Sequence, residues 1–265
     1  MTTQFKSTEN DTLKLDISWR LARYYIQNQR DSATLYFHEA YLSSKALNYP
    51  VATAYSSSYV GYMHLLSRDY KSAYQWINLS RNYSEQIDVN EISSLFPIIN
   101  TGNMFASQLE SFYGVKSQNA RLISFIYSSI GMKEEALLYL REGLDHIERT
   151  NNRPFTAMAH NNLGRGYFGV DSLGKAEIHH QKANELFPDS HIWKGENLRL
   201  LANIEFKKAN NARALEYIQE SIPYDEANNN RNGLAEAYHF LGDYYYAEKE
   251  YDQAIREYDL SLIHI

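Results

Sequence analysis

Alanine recurs along the chain at nearly constant intervals, and most of these alanines are followed four residues later by a large apolar or aromatic side chain. Their successive separations are 40, 63, 40, 38 and 40 residues, for Ala33, Ala73, Ala136, Ala176, Ala214 and Ala254. A spacing of four places two side chains on one face of an α-helix, whereas a half-buried strand alternates every second residue. The pattern therefore predicts helices and not strands.

A second apolar segment and a short polar turn precede these alanines, so each unit is predicted to be a helical hairpin. The segments 151–176 and 229–254 also repeat one another at an offset of 78 residues, which is twice 39. The matched pairs include Leu163 with Leu241, Gly164 with Gly242, and Tyr167 with Tyr245. The chain is therefore an array of internal repeats.

The segment 157–188 resembles the tetratricopeptide repeat, with histidines at two positions where that family has Trp and Phe. The residues that carry the resemblance are Leu163, Gly164, Tyr167, Ala176, Ala183 and Pro188, with His160 in place of Trp and His180 in place of Phe. The resemblance implies an all-α, right-handed superhelix (an α-solenoid) of antiparallel helical hairpins. The family's usual period is 34 residues, and the longer period here is similar to repeats of bacterial regulatory and sensor proteins.

We expect one helical-repeat domain over 1–265. Its hairpins are expected near 13–46, 54–88, 117–150, 157–189, 195–223 and 234–265, with a degenerate shorter hairpin at 90–114. The last of these breaks the rhythm, because Pro97 would kink or end its first helix. A single inserted helix over 90–114 is the alternative.

The stretch NLGRGYFGVDSLGKA (162–176) contains two overlapping glycine patterns that are typical of nucleotide-binding loops. However, Ala176 stands where a P-loop needs a hydroxyl for Mg²⁺, and no β-branched run that could form a strand precedes the stretch. We therefore interpret Gly164 as a helix-packing residue, and we expect no cofactor.

Composition and charge exclude several further classes. The chain has 26 Lys and Arg against 32 Asp and Glu, a net charge of −6, which argues against nucleic-acid binding. It has no cysteine, and no stretch approaches 18 uninterrupted apolar residues, so no membrane segment is expected. A cytoplasmic protein is the default expectation, or a periplasmic one if a signal peptide has been removed.

No catalytic or metal-binding pattern is found. His179 and His180 are adjacent and diverge by about 100° on a helix, so they do not readily share one metal ion. Acidic pairs such as Glu134 and Glu135 lie at a predicted helix start, where carboxylates complement the helix dipole. We therefore expect neither an enzyme nor a metal protein.

In repeat arrays of this kind, ligands usually bind the concave face, which is lined by residues of the first helices. The predicted peptide-binding residues are Arg121, Asn161, Arg165, Phe168, Arg199, Asn203, Phe206, His239 and Tyr246. Their guanidinium, amide and aromatic groups suit a peptide that carries an acidic or carboxylate group. The alternative is a solvated inner face whose charges serve only solubility.

The sequence therefore predicts a non-catalytic module that binds a protein or peptide. By resemblance it would be the sensing or regulatory part of a bacterial signalling protein; the alternative is a stand-alone interaction scaffold with no signalling output. In the last helix, Ile255, Tyr258 and Leu262 are expected to pack inside the hairpin, and Leu260 and Ile263 to remain exposed. From this apolar strip we expect either a longer protein or a homodimer that pairs through the C-terminal hairpin.

Overall fold

The computed structural model describes residues 11–92, 107–188 and 191–264, and among these residues it contains twelve α-helices, one short 3₁₀-helix and no strand. The α-helices are α1 (Asp11–Tyr25), α2 (Arg30–Ala46), α3 (Pro50–Leu66), α4 (Tyr70–Glu85), α5 (Gln108–Ser129), α6 (Lys133–Ile147), α7 (Arg153–Gly169), α8 (Leu173–Leu186), α9 (Trp193–Lys207), α10 (Asn211–Ala227), α11 (Arg231–Ala247) and α12 (Tyr251–His264). Odd- and even-numbered helices pack together in consecutive pairs. The predicted all-α fold of helical hairpins is confirmed.

The chain divides into two compact units. Unit 1 comprises Met1–Asn152 and contains α1 to α6, and unit 2 comprises Arg153–Ile265 and contains α7 to α12. Each unit has three described hairpins. The predicted degenerate hairpin at 90–114 falls largely on 93–106, which lies outside the described residues. A 3₁₀ turn at Val89–Glu91 precedes that segment, and α5 begins after it at Gln108.

A left-handed residue ends the first helix in five of the six described hairpins. These residues are Arg68, Gly131, Asp171, Ala209 and Lys249, with φ between 59° and 85°. The next residue then donates its N–H to a carbonyl five positions earlier, as in Ser172 N to Tyr167 O and Glu250 N to Tyr245 O, both at 2.9 Å. This arrangement satisfies carbonyls at the helix end and reverses the chain.

The recurring alanines fill the close contacts of the hairpins, because all six are at most 2% exposed. A glycine on the first helix faces a large side chain sixteen residues later in three hairpins. A β-carbon on the glycine would fall 2.7, 2.7 and 2.4 Å from that side chain, for Gly61 with Ile77, Gly164 with His180 and Gly242 with Tyr258. The interpretation of Gly164 as a packing residue is confirmed.

The last helix differs in part from the expectation. Ala254 and Ser261 are buried, whereas Ile255 is 58% and Leu262 is 67% exposed. At about 100° per residue, positions 255 and 262 lie beside the buried stripe rather than within it, so the expected packing of these two residues is wrong. Leu260 and Ile263 are exposed, as expected.

Candidate functional site

Eight of the nine predicted binding residues lie on the first helices of the three hairpins of unit 2. They are Asn161, Arg165 and Phe168 on α7, Arg199, Asn203 and Phe206 on α9, and His239 and Tyr246 on α11. Within each helix they are three, four or seven residues apart, a spacing that places side chains on one face. The ninth residue, Arg121, lies on α5 in unit 1.

Side-chain contacts connect these three helices. Arg165 on α7 donates to the carboxylate of Glu196 on α9. The Nε of Arg199 on α9 donates to Glu236 Oε2 on α11 at 3.1 Å. The rings of Phe206 and Phe240 meet edge to face with their centroids 5.5 Å apart. The first helices of unit 2 therefore present neighbouring parts of one face.

Arg199 lies inside this arrangement rather than on its surface. It is 7% exposed, and its Nη1 donates to the buried carboxylate of Asp225 at the end of α10. Asn230 donates to the other oxygen of Asp225 at 2.7 Å. Burial raises the pKa of Asp225, and the positive charge of Arg199 opposes that shift. Arg199 is thus a structural link between helices, and its guanidinium is not the free donor that the sequence pattern suggested.

Asn161 is also committed to internal contacts. It is 3% exposed, and its Nδ2 donates to Asn197 Oδ1 at 2.9 Å. Asn197 Nδ2 in turn donates to the backbone carbonyl of His180 at 2.9 Å. Because burying an amide without partners is costly, this chain of amides fixes how α7, α8 and α9 pack.

The same contacts determine the tautomer of His180. Its Nδ1 lies 2.9 Å from Asn197 Oδ1, which accepts hydrogen bonds, so Nδ1 carries the proton. The opposite nitrogen, Nε2, is buried with no hydrogen-bond partner among the described residues. Burial lowers the pKa of His180 to about 4, which the hydrogen bond to Asn197 only partly opposes. His180 is therefore a neutral packing residue at neutral pH.

The accessible members of the predicted set are Arg165, Asn203, Phe206, His239 and Tyr246, which we call the unit 2 inner face. Phe206 is 42% and Tyr246 is 63% exposed, so both rings can contact a ligand. Phe168 is half-buried, and the ammonium of Lys207 lies 4.4 Å from the centre of its ring.

Polar contacts at one end of this face hold its side chains in place. His239 Nε2 lies 3.8 Å from Asp243 Oδ2 on the same helix, and Tyr258 Oη donates to Asp243 Oδ1 at 2.7 Å. The Arg165–Glu196 pair is exposed, and such pairs contribute little to stability. Arg165 can therefore exchange its carboxylate partner for one on a ligand at small cost.

The side chains of this face suit binding rather than covalent chemistry. They combine an amide, a guanidinium and two aromatic rings, which offer hydrogen bonds and apolar contact to a peptide. Among the described residues, no group of three or more His, Asp or Glu side chains is arranged to hold a metal ion. The two histidines that come closest, His160 and His179, have their Nδ1 atoms 3.0 Å apart.

The glycine-rich stretch at 162–176 lies in the α7–α8 hairpin. Gly164 packs on His180, and no atom would lie within 4 Å of a β-carbon at Gly169 or Gly174. Lys175 points its ammonium at the ring of Tyr167, 5.5 Å from the ring centre. No described helix in either unit is long and apolar enough to cross a membrane.

Three solved structures resemble this fold. The apo form of RapI superposes with a TM-score of 0.66 at 15% identity, covering 95% of this chain and 97% of RapI. BtubC from P. vanneervenii has a TM-score of 0.69 at 12% identity, covering 90% and 91%. MamA has a TM-score of 0.50 at 16% identity, covering 77% and 94%. These are tetratricopeptide-like helical-repeat proteins, so the likeness extends to the fold.

At the sequence level the chain stands apart. No protein-family model matches it. No curated protein matches it either.

The sequence gave no signal for the partners that immobilise two predicted ligand-binding residues. Asn197 and Asp225 are buried polar residues that bind Asn161 and Arg199, respectively. Neither occupies a position that the repeat pattern assigns to packing. A buried amide or carboxylate on a neighbouring helix was needed to identify them, and only the structure provides it.

Proposed function

We propose that this chain is a non-catalytic protein- or peptide-interaction module whose ligand binds along the unit 2 inner face. The observation that carries the proposal is the set of exposed side chains on three neighbouring first helices that the packing of the hairpins does not use. Phe206 and Tyr246 offer apolar contact, while Asn203 can hydrogen-bond to an extended backbone. The helical-repeat fold supports this function, because such arrays usually bind ligands on this face.

Within this function, a sensing or regulatory role in bacterial signalling remains our proposal from the resemblance of the repeats. A stand-alone interaction scaffold is the alternative. The two differ in whether ligand binding changes the activity of a partner, which an activity assay of that partner would measure.

The binding proposal is tested by selecting ligands from a displayed library of random twelve-residue peptides. We expect the selected peptides to bind the intact chain and to lose at least tenfold in affinity with Phe206→Ala or Arg165→Glu. Glu216→Ala, an exposed change on the second helix α10, is the control and should leave binding unchanged. Failure to select any peptide, or peptides that ignore both inner-face changes, would exclude this site.

A further inference from the structure

Arg121 in unit 1 is a partly buried cation without an acidic partner among the described residues. Other partly or fully buried cations of the chain do have one. Arg81 lies 3.3 Å from Glu142, Arg199 pairs with Asp225, and Lys208 pairs with Glu177. Because taking a charge out of water is costly, such cations are normally paired. The environment of Arg121 therefore needs an explanation.

A hydrogen bond places Arg121 beside a row of tyrosines. Gln118 Nε2 on α5 donates to Ser58 Oγ on α3 at 3.2 Å. Arg121 is about one turn after Gln118, and Tyr62 is about one turn after Ser58, so the two side chains meet across the helices. The guanidinium interacts electrostatically with the phenol groups of Tyr62, Tyr59 and Tyr55.

These tyrosines form a connected aromatic surface on α3, because residues 55, 59 and 62 share one helical face. The rings of Tyr55 and Tyr59 are stacked with centroids 5.7 Å apart, and Tyr62 meets Tyr59 edge on at 6.3 Å. Trp19 contacts Tyr59 at 5.3 Å and Tyr55 at 5.8 Å. The indole Nε1 of Trp19 is buried and has no hydrogen-bond acceptor among the described residues.

No described group neutralises the charge of Arg121. Burial raises the pKa of both Tyr55 and Tyr59, so their phenols stay neutral at neutral pH. Burial lowers the pKa of Arg121, but a guanidinium in a protein remains protonated. The cluster is therefore rich in hydrogen-bond donors, carries a positive charge, and is partly shielded from water.

We propose that Arg121 and the neighbouring tyrosines Tyr59 and Tyr62 bind a carboxylate group of an acidic peptide. A guanidinium can hold a carboxylate through two parallel hydrogen bonds, and neutral phenols can add further donors. Phe125, one turn beyond Arg121 and 52% exposed, offers apolar contact to a neighbouring side chain of the peptide. The net charge of −6 disfavours an extended polyanion such as a nucleic acid at this position.

The ligand class rests on the proposed interaction function, whereas the site lies wholly within unit 1 and is separate from the unit 2 inner face. The test uses glutarate, a small dicarboxylate, so its outcome does not depend on the unit 2 surface. Binding is followed through the indole N–H resonance of Trp19, observed alone in a Trp76→Phe, Trp193→Phe background. Inorganic phosphate at the same ionic strength is the second probe.

We expect millimolar glutarate to shift the Trp19 resonance in a saturable way and phosphate to shift it at least fivefold less. Arg121→Gln should abolish the glutarate response, whereas Arg165→Gln in unit 2 should leave it intact. The melting temperature of Arg121→Gln should equal or exceed that of the unchanged protein, because the substitution removes an unpaired charge. No saturable shift, a stronger response to phosphate, an undiminished response in Arg121→Gln, or a lowered melting temperature would each overturn the proposal.

Discussion

The imidazole of His180 lies directly against the α-carbon of Gly164, so that a β-carbon at position 164 would fall 2.7 Å from Nε2 of the ring. His180 is fully buried, and its position is fixed further by the hydrogen bond to Asn197. The ring therefore has no free space into which it can retreat. Glycine at position 164 is required by this contact between α7 and α8.

Gly164→Ala should destabilise the protein by about 1–3 kcal/mol, because the added methyl group overpacks the hairpin. Gly169→Ala is the control, since a β-carbon there would meet nothing within 4 Å. Urea denaturation followed by circular dichroism measures both variants. A Gly164→Ala protein as stable as the Gly169→Ala protein would contradict the packing described for this hairpin.

Acid should destabilise the protein through its buried histidines. The pKa of His180 is lowered by burial to about 4, against 6.5 for an ordinary histidine, and the pKa of His160 is lowered likewise. The unfolded chain therefore binds protons that the folded chain does not. Stability is complete above pH 6.5 and falls as the pH drops from 6.5 towards 4, by on the order of 3 kcal/mol for each histidine.

His180→Phe removes one of these two groups and keeps an aromatic ring at the site. We expect its loss of stability between pH 7 and pH 4.5 to be about half that of the unchanged protein. Denaturant titrations at a series of pH values provide the comparison. Identical pH profiles for the two proteins would show that His180 does not titrate in the unfolded chain alone.

Removing the buried guanidinium of unit 2 should be far more damaging than removing the exposed one. Arg199→Met leaves the carboxylate of Asp225 buried without its cation, which costs about 3–5 kcal/mol. Arg165→Met breaks only an exposed pair and should cost about 1 kcal/mol or less. The double variant Arg199→Met, Asp225→Leu should recover most of the lost stability. If it is no more stable than Arg199→Met, the ion pair is not the cause of the loss.

We also expect two copies of the chain to associate through the C-terminal hairpin. Ile255 and Leu262 are exposed on one side of α12, whereas their equivalents forty residues earlier, Leu215 and Ile222, pack in the apolar cluster formed by α9, α10 and α11. Light scattering should show a dimer that grows with protein concentration and that disappears with Ile255→Asp, Leu262→Asp. A monomer at every concentration would exclude this pairing.

The repeat made the fold predictable, because small residues at fixed positions report where helices approach closely. Gly164, Gly242 and the recurring alanines were therefore assigned correctly from their spacing alone. The binding surface was less predictable. Spacing places Asn161 and Arg199 on the expected face, but it does not reveal that Asn197 and Asp225 lie opposite and bury them. Side-chain pairing between repeats depends on residues that no repeat rule specifies.

The polar contacts between the hairpins of unit 2 have a mechanical consequence. Apolar surfaces can slide past one another with little change in energy, but hydrogen bonds and ion pairs are directional and allow a single register. Asn161 with Asn197 locks one junction, and Arg199 with Glu236 locks the next. The distances between the exposed side chains Arg165, Phe206 and Tyr246 are thereby held constant. Unit 2 thus acts as a stiff ruler that selects ligands by the spacing of their contact points.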